Sequence, residues 1–289
     1  MKNDTWLARF KKEFRLYVRG NVLNVIPLVV LLVVAVSVIF GDAFIIRYDP
    51  VGMDIPSRLK PPSVAHFFGT DEFGRDIFSR VVSGTKISIA AAGIVLVVAV
   101  KIGFFAGVVA GLQGGWVDEI LMRITDLFMA FPSMILAIAI AATLGASLQN
   151  TLIALSVVFW PWYARLVRAQ VLSLREREYV HAARCLGASS LRIIVQHLLP
   201  NLLPTIITQL TLDVGYVILS TAGLSYLGLG AQPPTPEWGA MIMSARQFMR
   251  ESWWYTTFPG LALVTTVIGF NLLGDALRDY LDPKLHDVV

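Results

Sequence analysis

Charge is scarce in this chain. Of its 289 residues only 15% are Asp, Glu, Lys or Arg, while 56% are hydrophobic and mean hydropathy is +0.66. A soluble domain carries about 25% charged residues, so a water-soluble globule is excluded. The length holds several membrane spans of about 20 residues each, with loops between them. Cysteine is nearly absent, and Cys185 alone excludes an internal disulfide and a cysteine-rich metal site. The glycine-rich Lys-Ser/Thr loop that cradles nucleotide phosphates is missing, so any phosphate chemistry must sit on another chain. Nucleic acid would need a basic patch interleaved with aromatics, and none is present. The net charge of +4 therefore speaks to orientation in a bilayer.

What is there, in chain order, is a set of long apolar runs. Residues 1–20 hold Lys2, Arg9, Lys11, Lys12, Arg15 and Arg19, with Trp6, Phe10, Phe14 and Tyr17 at helical spacing. Such a helix suits the inner leaflet, as a cytoplasmic amphipathic segment. The first span is Asn24–Ile46, an uncleaved anchor. Arg47–Lys86 is hydrophilic and rich in proline, with nearly cancelling charges, and alternation places it outside. Within it FGTDEFGRDIFSR reads as a turn followed by a short helix. The lack of a further His or carboxylate favours a locally paired turn over a cation site there.

The second span, Ile87–Gly111, carries Gly103, Gly107 and Gly111 at four-residue spacing, a smooth stripe for a close helix neighbour. Lys101 lies inside this run, so it must snorkel, pair or line a wet path. Asp126 and Asp213 are its candidate partners, and the three together are candidate pathway or intramembrane pairing residues. The third span is Glu119–Leu144. The fourth is Asn150–Leu172, bent by Pro161, with Arg165 and Arg168 at its cytoplasmic exit. The fifth is Leu198–Leu229 and the sixth Thr257–Leu277. The chain is thus an all-α integral membrane protein of six transmembrane helices with both termini cytoplasmic. Three parts are expected: residues 1–20, a first helix with its outer loop over 21–86, and a five-helix core over 87–289 with a non-spanning connecting loop at 175–200.

One stretch between spans four and five is charged and does not cross the membrane: EYVHAARCLGASSLRIIVQHLLP, Glu178–Pro200. Glu178–Leu186 favours a short helix, Gly187 is a natural stop, and Ser189 or Ser190 can cap the next helix. Tyr179, Ala182, Ala183 and Leu186 share one side. Small alanines admit a partner surface and Tyr179 supplies an anchor, as in helix-in-groove recognition. Arg175, Arg177, Arg184 and Arg192 surround it, ready for acids on a partner or for lipid phosphates. An amphipathic helix resting on lipid is the alternative.

His181-Ala182-Ala183, Gly187 and Leu199-Pro200 in this connector resemble the signature cytoplasmic loop of ABC-importer permeases. FGTDEFGRDIFSR, WPWYARLVRAQVLSLREREYV, LSYLGLGAQPPTPEWG and FNLLGDALRDYLDP are similar to the C-type permease subunit of dipeptide, oligopeptide and nickel importers. The resemblance runs from about Phe67 to Pro283. It implies a type I importer fold in a bacterial or archaeal inner membrane. It also implies a related B-type permease, two cytoplasmic ATPases that bind ATP and Mg, and an extracytoplasmic solute-binding protein. The chain itself would hold no cofactor, metal or catalytic residue. The resemblance makes Glu178, Tyr179, His181, Ala182, Ala183, Leu186 and Gly187 the ATPase-docking residues of a coupling helix. The chain departs from the pattern at His181, where the family carries Glu, and Glu178 one turn earlier can supply that carboxylate.

Peptides are the cargo the resemblance favours, with nickel or a metal chelate as the alternative. A secondary transporter driven by an ion gradient would want several buried carboxylates or broken helices at mid-membrane, and only Lys101 and Asp213 look deep. An intramembrane enzyme would want a nucleophile and base within the spans. Cys185, His181 and His197 lie instead on the connector, and His66 and His286 in loop or tail.

Overall fold

The computed structural model describes residues 25–281. The amphipathic segment 1–20 and the end of the C-terminal tail lie outside the described residues. Among those described the chain is helical throughout, apart from loops and a single isolated bridge between Thr70 and Asp76. The helices are α1 (Val25–Phe40), α2 (Ile77–Gln113), α3 (Gly115–Met129), α4 (Ser133–Leu144), α5 (Leu148–Arg175), α6 (Glu178–Cys185), α7 (Leu199–Tyr226), α8 (Trp238–Ala245) and α9 (Trp253–Leu281).

Five helical stretches are long and apolar enough to cross a membrane: Pro27–Ile45, Ile77–Gln113, Leu148–Arg175, Ser190–Tyr226 and Trp253–Asp279. The pair α3 and α4 makes a sixth if taken as one crossing, but the two meet at 87°. The expected third span, Glu119–Leu144, is therefore broken rather than continuous. The break falls at Phe131-Pro132. Proline has no N–H to donate and pushes the residue before it out of the helical region.

The second span also departs from expectation. Its helix starts at Ile77, ten positions earlier than Ile87, and runs for 37 residues. The expected boundary between parts at residue 86 falls inside it. At 1.5 Å per residue it is about 55 Å long, more than a hydrocarbon core of about 30 Å. Its first turns are buried by protein instead of lipid. Asp76 caps them through the Ser79 N–H at 2.8 Å. Trp238 donates its indole N–H to the Val81 carbonyl at 3.1 Å, and Arg80 reaches the Pro50 carbonyl at 2.6 Å.

The loop over 46–76 and the segment around α8 form one cap at this end of the bundle. The short turn that sequence placed near FGTDEFGR is present as a buried ion cluster. Arg75 holds Asp71 at 2.6 Å and Glu72 at 3.6 Å, and Arg80 stands 3.5 Å from Asp71. Tyr255 of α9 donates to Glu72. A further ligand-type side chain does approach, against expectation: His66 Nδ1 lies 2.9 Å from Asp76. Even so, no group of three His, Cys, Asp or Glu among the described residues is placed to hold a metal ion. Asp71 and Glu72 of this turn are matched by Arg75 and Arg80.

α2 packs along α5 through the glycine stripe. A Cβ at Gly103 would sit 2.5 Å from Tyr163 Cβ, and one at Gly107 would sit 2.6 Å from the Ala164 carbonyl. α7 packs on α9 in the same manner, with Gly215 against Asn271 and Gly274 against Leu212. α1 lies outside, with Gly269 of α9 receiving Val30. The apolar interior forms two clusters. The larger joins α2, α5, α7 and α8 around Leu96, Tyr163, Ile218 and Trp238. The smaller, at the opposite end, joins Val108, Val167 and Val171 to Val180, Ile193 and Leu202.

Candidate functional site

The connector leaves α5 at Glu176 and turns at Arg177 into α6. The helix ends where its glycine demands. Gly187 adopts φ +79°, a conformation that L side chains rarely take. Its N–H reaches the Arg184 carbonyl at 2.9 Å, and the Ala188 N–H reaches Ala183 at 3.0 Å. This is the two-bond Schellman closure of a helix C-terminus. Ser189 then caps the following turn through the Arg192 N–H at 3.3 Å. Ser190–Ile193 runs through a wider π turn, Ile194–Leu198, into α7. Asn201 closes the loosened ladder by donating to the His197 carbonyl at 2.6 Å.

A residue that sequence reasoning passed over fixes this arm to the bundle. Val180 is fully buried in the smaller apolar cluster, beside Val171 of α5 and Ile193. Its signal was present, as the one β-branched apolar residue in EYVHAARC. The opposite side is bare: Tyr179 is 42% exposed and Leu186 88%. Ala182 is also exposed, and Ala183 is half-buried. Tyr179 leans toward the His197 ring, with 6.0 Å between centroids. Glu176 stands 3.7 Å from His181, and Glu178 is exposed on α6.

The surrounding arginines divide into two groups. Arg175 is tied to the bundle, donating to the Gly111 carbonyl at 2.8 Å and to Glu176 at 3.0 Å, so it does not belong to a free basic ring. Arg192 holds Gln196 at 3.0 Å. Arg177 and Arg184 have no carboxylate within 4.0 Å among the described residues. Further in, Arg168 grips both Asp118 oxygens, at 2.5 and 2.6 Å, and Arg165 meets Asp126 at 2.5 Å. These pairs bind α3 to α5 beside the connector.

The break between α3 and α4 opens a cavity of about 380 Å³ against α5 and α7. Aromatic rings dominate its wall: Phe128, Phe131, Phe159, Trp162 and Tyr216. Gln209, Asp213 and Tyr216, at helical spacing on α7, turn the same way into it. Asp213 accepts from the Tyr163 hydroxyl at 2.6 Å and from Gln209 at 3.0 Å. The expected pairing of Lys101 with Asp126 or Asp213 is not formed. Both carboxylates are taken by other groups, and Lys101 is exposed on α2 with no carboxylate within 4.0 Å among the described residues. A long ammonium side chain on a helix that outruns the hydrocarbon can snorkel.

Comparison with known proteins gives a consistent result. Residues 103–287 match the family described as "Binding-protein-dependent transport system inner membrane component". The chain is 44% identical to the dipeptide transport system permease protein DppC of Alkalihalophilus pseudofirmus, over 97% of this chain and 90% of that one. It is 47% identical to the nickel transport system permease protein NikC of Escherichia coli, over 82% of this chain and 86% of that one. Among solved structures, an inward-facing MetNI methionine ABC transporter superposes with a TM-score of 0.57 at 20% identity, over 70% of this chain and 96% of that chain. At that identity the likeness speaks to fold.

Proposed function

The chain belongs to the binding-protein-dependent inner membrane components of ABC importers, and we propose that it is the half-pathway of a di- or oligopeptide importer, moved by a separate ATPase through α6. It is a multi-pass permease by family and by its apolar helices. The observation that carries the coupling assignment is the two-sidedness of α6. Val180 anchors it to α5 and the lead-in to α7, while Tyr179, Ala182 and Leu186 stand free for a partner groove. A helix held on one side and bare on the other transmits a push into whatever holds it. Here that is α5 and α7, two of the helices that wall the aromatic cavity.

Glu178, Tyr179, His181, Ala182, Ala183, Leu186 and Gly187 form the docking surface in this reading. The partners are a second permease subunit that completes the pathway, two cytoplasmic ATPases that bind and hydrolyse ATP with Mg, and a solute-binding protein on the other side. Peptide cargo is favoured over nickel because no cluster of three metal-type ligands occurs among the described residues, whereas the cavity offers aromatic walls and one carboxylate.

The test is uptake in vesicles holding the chain with its partner permease, ATPase and binding protein. Labelled dialanine should accumulate only with ATP and binding protein, and vanadate should block it. Uptake driven by an ion gradient without ATP would overturn the reading, and uptake of nickel with no peptide would overturn the cargo. Ala182→Asp should leave the chain folded in the membrane and reduce uptake at least tenfold, since a carboxylate on the docking face meets the partner desolvated. Near-normal uptake by that variant would remove α6 as the docking face.

A further inference from the structure

We infer that Asp213 is the anionic pole of a subsite for a primary ammonium group, the free N-terminus of a peptide in transit. The inference rests on the importer reading above and names what the pathway recognises. Three observations converge. The first is the place of the carboxylate. It projects from α7 into the cavity opened by the 87° break between α3 and α4. The opposite side of α7, at Leu212 and Gly215, is committed to packing on α9.

The second is its bonding. Tyr163 takes one oxygen at 2.6 Å and Gln209 the other at 3.0 Å. Both donors are neutral, and no Lys, Arg or His among the described residues comes within 4.0 Å of Asp213. A carboxylate has about four lone-pair positions, so accepting capacity remains on each oxygen. The two donors fix the orientation of the group, and its charge is left without a counter-ion.

The third is the wall. Phe128, Phe131, Phe159, Trp162 and Tyr216 line the opening. Aromatic faces attract organic cations but do not ligate a divalent metal, which would ask for further oxygen, nitrogen or sulfur ligands. No such group of three is present among the described residues. One oriented carboxylate among rings is chemistry suited to R–NH3+. It also tolerates varied side chains, because nothing else in the wall is charged.

The experiment uses the complete permease–ATPase complex in nanodiscs, without nucleotide or binding protein, so that only the pathway is probed. Binding of dialanine, N-acetyl-dialanine and Ni2+ is measured by equilibrium dialysis. The wild-type complex should bind dialanine about tenfold more tightly than its N-acetyl form. Asp213→Asn should bind both equally, and Asp213→Glu should restore the preference. Co-elution of the variants with their partner subunits separates a lost site from a lost fold. The inference is overturned if Asp213→Asn keeps the tenfold preference, if the wild type shows none or binds neither peptide, or if Asp213 governs Ni2+ and not dialanine. Failure of the importer reading itself would register separately, as absence of ATP-driven dialanine uptake by the wild-type complex with its binding protein.

Discussion

Single residues in this chain are legible where packing allows one answer. The stripe Gly103, Gly107, Gly111 pointed to a close helix neighbour, and α5 fills it. A side chain at Gly107 would meet the Ala164 carbonyl at 2.6 Å and Val167 Cβ at 2.8 Å, and backbone has little room to yield. Gly107→Val should therefore destabilise the fold by about 1–3 kcal/mol, seen as a lower Tm in detergent. An unchanged Tm would show that α2 and α5 slide freely. The buried ion cluster makes a second case. Arg75 and Asp71 are both almost wholly excluded from solvent. Arg75→Met would leave Asp71 facing only Arg80, and breaking one partner of a buried pair typically costs about 3–5 kcal/mol. The remaining arginine, at 3.5 Å, argues for the lower end. The loss should register as a lower Tm in the same assay. Lys101 shows where residue-level reading stops. Its charge inside an apolar run was evident, but which acids were already engaged depended on Arg165 and Tyr163, which lie far away in sequence.

At the level of elements, long apolar runs gave four of the crossings nearly in place, and the connector helix ends within a residue of where Gly187 said it would. The errors share a cause. Hydropathy reports lipid exposure, and the first turns of α2 are apolar-poor because protein covers them. The break at Phe131-Pro132 was written in the proline, but a uniformly apolar run hid it. The Schellman turn gives the sharpest prediction at this scale. Gly187 has open space around the position of a Cβ, so a larger residue there meets no clash, only the backbone conformation at φ +79°. Forcing an L residue into that region costs roughly 1–2 kcal/mol. Gly187→Val should then loosen α6 while sparing the transmembrane bundle. ATP-driven uptake should fall severalfold, with ATPase activity retained and Tm shifted by no more than a degree or two. A variant as unstable as Gly107→Val would mean the turn supports the whole fold. His181→Glu, by contrast, changes no packing contact of an exposed side chain, and uptake by that variant should match the wild type.

For the whole molecule the open question is which end faces the cytoplasm. The placement of Lys and Arg along the chain predicts it. At the cap, Arg75 and Arg80 are neutralised within a buried cluster with Asp71 and Glu72, and Lys86 meets Asp42 at 3.1 Å. Ahead of the first span, residues 1–20 hold six Lys or Arg against Asp4 and Glu13. Lys and Arg flanking a first span are held on the cytoplasmic side, and alternation over the crossings carries the connector after the fourth span to that same side, so α6 should face the compartment where ATP is made. Cys185 turns this into a direct measurement. It is the chain's single cysteine, it is exposed, and it sits on α6 itself. A membrane-impermeant maleimide should label it in inside-out vesicles and leave it untouched in right-side-out cells until they are permeabilised. Adding the ATPase subunits to stripped inside-out membranes should slow that labelling at least tenfold, because the groove that takes Tyr179 and Leu186 would cover the thiol beside them. Labelling from the outer face of intact cells would invert the molecule and put the arm out of reach of any cytoplasmic motor.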